Sequence, residues 1–195
     1  MIVIGLTGSI GMGKSTTTGF FLEAGVPVHD SDAAVHNLYS GSGAALVEAA
    51  FPGVLQNGIV DRSLLSSRVL NDPRALKTLE SIVHPFIGKA RQEFLTAAQA
   101  EGKMLVVLDI PLMFEIGMGV EVDIIVVVTA PENVQRARVL ARPGMTNEKF
   151  EKILARQIQD ATKRRHAHFL IDTSKGLDAA RRRTIEVLRC VAYMN

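Results

Sequence analysis

Apolar residues follow two spacings along this chain. Short unbroken runs, Ile2 to Leu6, Met104 to Leu108 and Ile124 to Val128, are rich in β-branched side chains and predict buried strands. Two shorter runs, Val26 to His29 and His168 to Asp172, predict two more. Elsewhere apolar residues recur at helical spacing. Thr16 to Gly25 carries Phe20, Phe21 and Ala24 on one face, and Asp61 to Leu70 carries Leu64, Leu65, Val69 and Leu70. Helices are also expected over Ala33 to Tyr39, Ala44 to Ala50, Pro131 to Arg142, Thr146 to about Arg165 and Gly176 to Val191. Asp72-Pro73 has the form of an N-cap with proline at the first helical position. The helix it opens is expected to break at His84-Pro85, where a second one starts and runs to Ala100. Pro52-Gly53 and Asn57-Gly58 punctuate Phe51 to Val60, which predicts a turn or short hairpin.

Strands that are apolar throughout and alternate with helices mean an α/β fold, a parallel sheet covered on both faces. The connection from the second strand to the third is about 70 residues, far more than a crossover needs, so it holds an extra helical region. The longest apolar runs are far too short to span a bilayer, and no basic segment precedes an apolar one at the N-terminus. The one cysteine, Cys190, cannot form an internal disulfide, and a cytoplasmic location without membrane partners is the expectation.

The first strand runs into Gly8-Ser9-Ile10-Gly11-Met12-Gly13-Lys14-Ser15-Thr16, which matches G-x-x-x-x-G-K-[ST] with a strand before and a helix after. Glycines at 8, 11 and 13 let the backbone turn tightly and bring its N–H groups to an anion. The helix N-terminus adds partial positive charge at the same point. Lys14 supplies a mobile full charge for the outer phosphates of a triphosphate, and the Ser15 hydroxyl can ligate Mg²⁺.

Ligands of such folds bind beyond the carboxyl ends of the strands. Asp30, Asp32 and Asp109 all lie at such ends and are expected to converge with the glycine loop on one cleft. An acid at Asp109 can hold a Mg²⁺-bound water, and Asp32 can accept a proton or simply cap a helix, with Asp30 as well placed by position alone. Net charge is +2, but residues 1–135 hold 8 Lys+Arg against 14 Asp+Glu, while residues 136–195 hold 14 against 6. That basic half fits nucleic acid, arginines that close over a polyphosphate, or a solvated helix face. Arg138 and Arg142 stand four apart on an expected helix and share a face.

The sequence resembles the dephospho-CoA kinase family nearly end to end. Gly5-Leu6-Thr7-Gly8-Ser9-Ile10-Gly11-Met12-Gly13-Lys14-Ser15-Thr16 is similar to that family's phosphate loop, and Asp30-Ser31-Asp32 to its D-A-D segment. Phe51-Pro52-Gly53 through Asp61-Arg62, Leu79-Glu80 with His84-Pro85, and Asp109-Ile110-Pro111-Leu112-Met113-Phe114-Glu115 resemble further family segments. Gln135, Arg138, Arg142, Thr146 and Gln157 follow its lid pattern. Two positions depart: His168 stands where the family usually has Asp, and Thr173 where it usually has Asn, in a loop that lies near the adenine in the family.

The resemblance implies a P-loop kinase fold, a five-stranded parallel sheet flanked by helices. It divides the chain into a core (about 1–31, 103–134 and 167–195), a helical substrate-binding insertion (about 32–102) and a helical lid (about 135–166). It implies ATP-dependent phosphorylation of the ribose 3′-hydroxyl of dephospho-CoA, with Mg²⁺. Lys14, Asp32 and Arg138 would be catalytic, with Asp32 the base. The loop residues 8–16 with Arg138 and Arg142 would bind ATP. Asp30, Asp32, Arg62, His84 and Pro111 would bind substrate, and Ser15 and Asp109 the metal. For His84 a buried structural role fits equally well. A GTPase would carry D-x-x-G after its third strand and N-K-x-D for guanine, and neither occurs. No nucleic-acid partner is expected, because the basic half holds only Phe150, Phe169 and Tyr193 as aromatic platforms.

Overall fold

A computed structural model of the chain describes residues 1–70, 72–115 and 121–193. In chain order the elements are β1 (Ile2–Thr7), α1 (Lys14–Glu23), β2 (Val28–Asp30), α2 (Ser31–Ser40), α3 (Ala44–Ala50), β3 (Leu55–Gln56), β4 (Ile59–Val60), α4 (Arg62–Val69) and α5 (Pro73–Ala100). They continue with β5 (Leu105–Asp109), β6 (Ile124–Thr129), α6 (Glu132–Leu140), α7 (Asn147–Leu154), α8 (Asp160–Arg165), β7 (Phe169–Asp172) and α9 (Leu177–Ala192). The chain separates into two compact units, Met1–His29 with Glu101–Asn195, and Asp30–Ala100.

The first unit is built on the five-stranded parallel sheet, in the order β2-β5-β1-β6-β7. The register pairs Ile4 with Val107 and Ile124, and Val128 with Ile171. Val106, Val107, Val126, Val127 and Val128 are wholly buried, as central parallel strands require. Phe20 and Phe21 from α1, and Ala180, Val187 and Val191 from α9, pack on this sheet. The spacing of the α9 residues is that of one helix face.

The second unit has its own core. Leu38, Tyr39, Val47, Phe51, Val54, Val60, Leu65 and Val69 are buried together. Ala75, Leu79, Ile82, Val83 and Phe86 of α5 pack against them along one face. The hairpin expected near Asn57-Gly58 forms between β3 and β4, with both turn residues at positive φ (52° and 81°), as a tight two-residue turn demands.

Two helix boundaries differ from expectation. α5 runs unbroken through Pro85 for 28 residues. Pro85 cannot donate to the Ser81 carbonyl, but both residues are exposed, so water can replace the lost bond. The long helix expected from Thr146 to Arg165 is instead two, α7 and α8, with residues 155–159 between them non-helical. There the Ile158 N–H donates to Glu115 Oε1 (2.9 Å), a partner that sequence spacing does not reveal. His168, expected to open the last strand, lies just before β7 and is exposed, and its Nδ1 accepts from the Ile125 N–H at 2.9 Å.

Glu48 on α3 closes the loop before the hairpin, accepting from the Gly53 and Leu55 N–H groups at 2.7 and 2.8 Å. These bonds, that from Gly53 foremost, hold its carboxyl below the ordinary glutamate value. The folded chain therefore releases that proton more readily than the unfolded chain. The resulting stabilisation is present above the ordinary value and lost as pH falls through the lowered one. Urea unfolding at about pH 6 and about pH 3 should show Glu48→Gln losing less stability on acidification than the parent. Equal losses would mean that the two bonds do not bias the titration.

Candidate active site

The glycine loop leaves β1 and turns into α1, with the Met12 N–H donating to the Ser9 carbonyl at 3.1 Å. Gly13, at φ 91°, caps α1 in the left-handed region that a side chain disfavours. No acidic residue occupies the first turn of α1, so its N-terminal partial charge is not cancelled locally. Ser15 and Thr16 are exposed there, while Gly8, Ser9, Gly11 and Met12 are buried. Ile10 is half-buried.

Asp109 ends β5 beside the loop and is buried. One carboxylate oxygen pairs with Lys14 Nζ, and the other accepts from Thr18 Oγ1 at 2.7 Å. Thr18 escaped the sequence reading, although it lies one helical turn after Lys14 on the same face. Pro111 follows β5, and its carbonyl accepts from Thr7 Oγ1 at 3.2 Å.

The first turn of the loop is gripped from α6 and from the segment between α7 and α8. Gln135 on α6, buried, donates from Nε2 to the Ile10 carbonyl at 2.8 Å. Gln157, between α7 and α8, accepts from the Ile10 N–H at 3.1 Å. Both glutamines belong to the lid pattern, but their common target could not be read from spacing. Arg138, also on α6, is half-buried and bonded to Thr173. Arg138, Arg142, Thr173, Gly11, Gly13 and Thr16 line one cleft of about 330 Å³. Clefts of about 560 and 570 Å³ lie beside Arg164, Lys175 and Arg183 and beside Gln157. Size therefore does not single out the site; the meeting of loop glycines with two guanidinium-bearing side chains does.

The remaining candidates lie in the second unit. Asp30 is the N-cap of α2, accepting from the Asp32 and Ala33 N–H groups at 2.8 and 3.1 Å. The capping role open to Asp32 in the sequence is thus filled by Asp30, and Asp32 stands exposed in the first turn. The Arg62 guanidinium lies over the Tyr39 ring, 5.6 Å from its centroid. Burial pushes the Tyr39 hydroxyl pKa up, and Arg62 opposes the shift in part. His84 is exposed, which removes the buried structural role considered for it.

Among the described residues no group of three or more His, Cys, Asp or Glu side chains could hold a metal ion. The oxygens of exposed Ser15 and of Asp109 suit a hard cation that arrives on a nucleotide rather than a resident one. No helix among the described residues is long and apolar enough to cross a membrane.

A five-stranded parallel sheet whose first strand feeds a glycine loop, a lysine and a helix defines a P-loop kinase. The dephospho-CoA kinase family model matches residues 2–179. A dephospho-CoA kinase of Mesorhizobium japonicum is 61% identical over 181 residues, covering 93% of this chain and 92% of its own. One from Rhodopseudomonas palustris is 54% identical over 194 residues, covering 100% and 98%. The chain belongs to the dephospho-CoA kinase family. Among solved structures, one from Thermus thermophilus matches with a TM-score of 0.87 at 32% identity over 97% of this chain and 96% of its own. A shikimate kinase from Bacteroides thetaiotaomicron, at TM-score 0.55 and 14% identity over 98% of both chains, shares the fold alone.

Helix α8 is anchored by a buried ion pair that the sequence reading missed. Lys163 on α8 is fully buried, with Nζ 2.8 Å from Glu115 Oε1. Beside it Asp160 accepts from Thr129 Oγ1 on β6 at 2.8 Å. Removing one partner leaves a buried charge uncompensated, so Glu115→Ala should cost ~3–5 kcal/mol in urea unfolding. Glu115→Leu combined with Lys163→Met should recover most of that loss. A single variant as stable as the parent would show that the pair is not held as described.

Proposed function

We propose that the loop residues 8–16, Lys14, Arg138 and Arg142 hold ATP, and that Asp32 acts on the ribose 3′-hydroxyl of dephospho-CoA. The reading rests on one observation above others: Lys14 and Arg138 both border the glycine loop at an uncancelled helix N-terminus. The enzyme is a kinase of coenzyme A biosynthesis, catalysing its final step.

Phosphoryl transfer needs charge neutralisation, alignment and a group that orients the nucleophile. Loop N–H groups and Lys14 surround the phosphates from one side. The Arg138 and Arg142 guanidiniums approach from α6 and its C-terminal flank, where they neutralise charge or stack on adenine. Ser15, and Asp109 through water, would hold Mg²⁺, which when bound offsets phosphate charge. Asp32, not engaged as the N-cap, accepts the hydroxyl proton as the bond to phosphorus forms. Asp30 fixes the start of α2 and so the place of Asp32. Arg62, His84 and Pro111 contact the dephospho-CoA. The helical insertion at 32–102 binds dephospho-CoA and the helical lid at 135–166 serves the nucleotide, in an enzyme of the cytoplasm.

A panel of alcohols, including dephospho-CoA and shikimate, incubated with ATP and Mg²⁺ should release ADP at a substantial rate only with dephospho-CoA. Asp32→Asn should then lower turnover ~10²- to 10⁴-fold while ATP affinity stays near the parent's. Asp30→Asn should retain most activity, since Asn caps a helix about as well as Asp. If Asp30→Asn abolishes turnover and Asp32→Asn does not, the roles of the two acids are reversed.

A further inference from the structure

The Arg138 guanidinium is tied to one residue twice. Nη1 donates to Thr173 Oγ1 and Nη2 to the Thr173 carbonyl, both at 2.8 Å. The same hydroxyl donates to the Met12 carbonyl inside the glycine loop, again at 2.8 Å. Thr173 is itself fixed, because its N–H donates to the Thr129 carbonyl of β6 at 3.0 Å. It is buried, and a side chain begun at Gly13 would meet its hydroxyl and methyl-bearing carbons at 3.1–3.2 Å. One hydroxyl thus spends its proton on the loop and a lone pair on α6, leaving little further bonding capacity.

We propose that Thr173 is a positioning residue, which sets the Arg138 guanidinium beside the loop before a nucleotide arrives and so sets affinity for the nucleotide's polyphosphate. The proposal rests on the reading of Arg138 as a nucleotide-binding residue. An arginine loses much rotamer entropy when a ligand must order it. Here two bonds to a buried residue order it in advance, so that less of the ligand's binding energy is spent on ordering. Thr173 acts through Arg138. It touches no reacting atom itself, so its effect falls first on nucleotide affinity, and on turnover only as far as the displaced guanidinium also serves the transfer step.

The test compares the parent with Thr173→Val, Thr173→Ser, Arg138→Ala, Arg138→Lys and the double variant Thr173→Val/Arg138→Ala. ATP and ADP are titrated by calorimetry, with kcat, KM for each substrate and a melting temperature for each protein. Thr173→Val keeps the shape but loses both hydroxyl bonds. It should weaken ATP and ADP binding about tenfold, the order expected for a bond to a charged group, with a smaller fall in kcat at saturating ATP. Thr173→Ser should restore affinity to within about threefold. Arg138→Lys keeps the charge without the two-pronged bond and should lose about as much as Thr173→Val, which serves if the valine variant folds poorly. In the Arg138→Ala background, Thr173→Val should cost almost nothing more. Independent losses that multiply in the double variant, or a serine variant as weak as the valine one, would overturn the positioning role. If Arg138→Ala leaves ATP affinity unchanged, the nucleotide-binding reading of Arg138 fails, and this proposal with it. If Arg138→Ala weakens ATP but Thr173→Val and Arg138→Lys do not, only the proposal fails.

Discussion

A side chain begun at Gly8 would lie 2.8 Å from the Val128 carbonyl oxygen, and one begun at Gly11 would lie 2.5 Å from Val139 and 3.0 Å from the Gln135 carbonyl. These approaches press the loop against β6 on one side and α6 on the other. Bare backbone is the only material that fits between them. The loop backbone is therefore held in place by packing as well as by the side-chain bonds of Gln135, Gln157 and Thr173. Donors fixed in this way need little rearrangement when an anion binds, which is the condition for strong electrostatic stabilisation of transferring phosphate. Removing a Cβ from this place serves fold and chemistry together.

The excess of basic residues after position 135 takes on a definite form in the structure. Arg136 pairs with Glu151 and lies over the Phe150 ring, 5.1 Å from its centroid. Arg183 lies 3.0 Å from Glu186, and Arg181 pairs with Glu23 while covering Phe20. Lys163 is committed to Glu115. Most of these contacts join helices of the first unit to their neighbours, and the exposed ones contribute little energy each. Arg138 and Arg142 differ from them in bordering the cleft beside the glycine loop.

Local features were legible in the sequence, and long-range ones were not. The loop, the buried strands, the Asp72 cap and the Asn57-Gly58 hairpin depend on residues within a few positions of one another, so spacing alone reveals them. Proline at 85 misled because its cost depends on exposure: Ser81 and Pro85 are both exposed, so water can satisfy the carbonyl left without a donor. The α7–α8 break was hidden for the opposite reason. It is stabilised by Glu115 and by the Ile10 N–H, 43 and 147 positions away from the residues they bind. Asp30 and Asp32 could not be separated by sequence, since both stand where a cap can form. The two bonds to Asp30 assign that role. Thr18, Thr173 and Lys163 carry no motif signal because each works through a partner far along the chain.

The Lys14–Asp109 pair carries the electrostatic argument one step further. Lys14 is half-buried and Asp109 nearly wholly so, and a charge taken from water needs a partner. Without Asp109, Lys14 at the end of the glycine loop would lack a counter-charge in the folded chain. The carboxylate at the end of β5 supplies it, and Thr18 satisfies the second oxygen. The lysine is thus held by a group belonging to the adjacent strand rather than to the loop. The register of β5 beside β1, Leu6 against Asp109, is what brings that group there. A shift of one residue in that pairing would turn the acid to the opposite face of the sheet. The buried valines of β5 fix the register, and through it the charge balance of the loop.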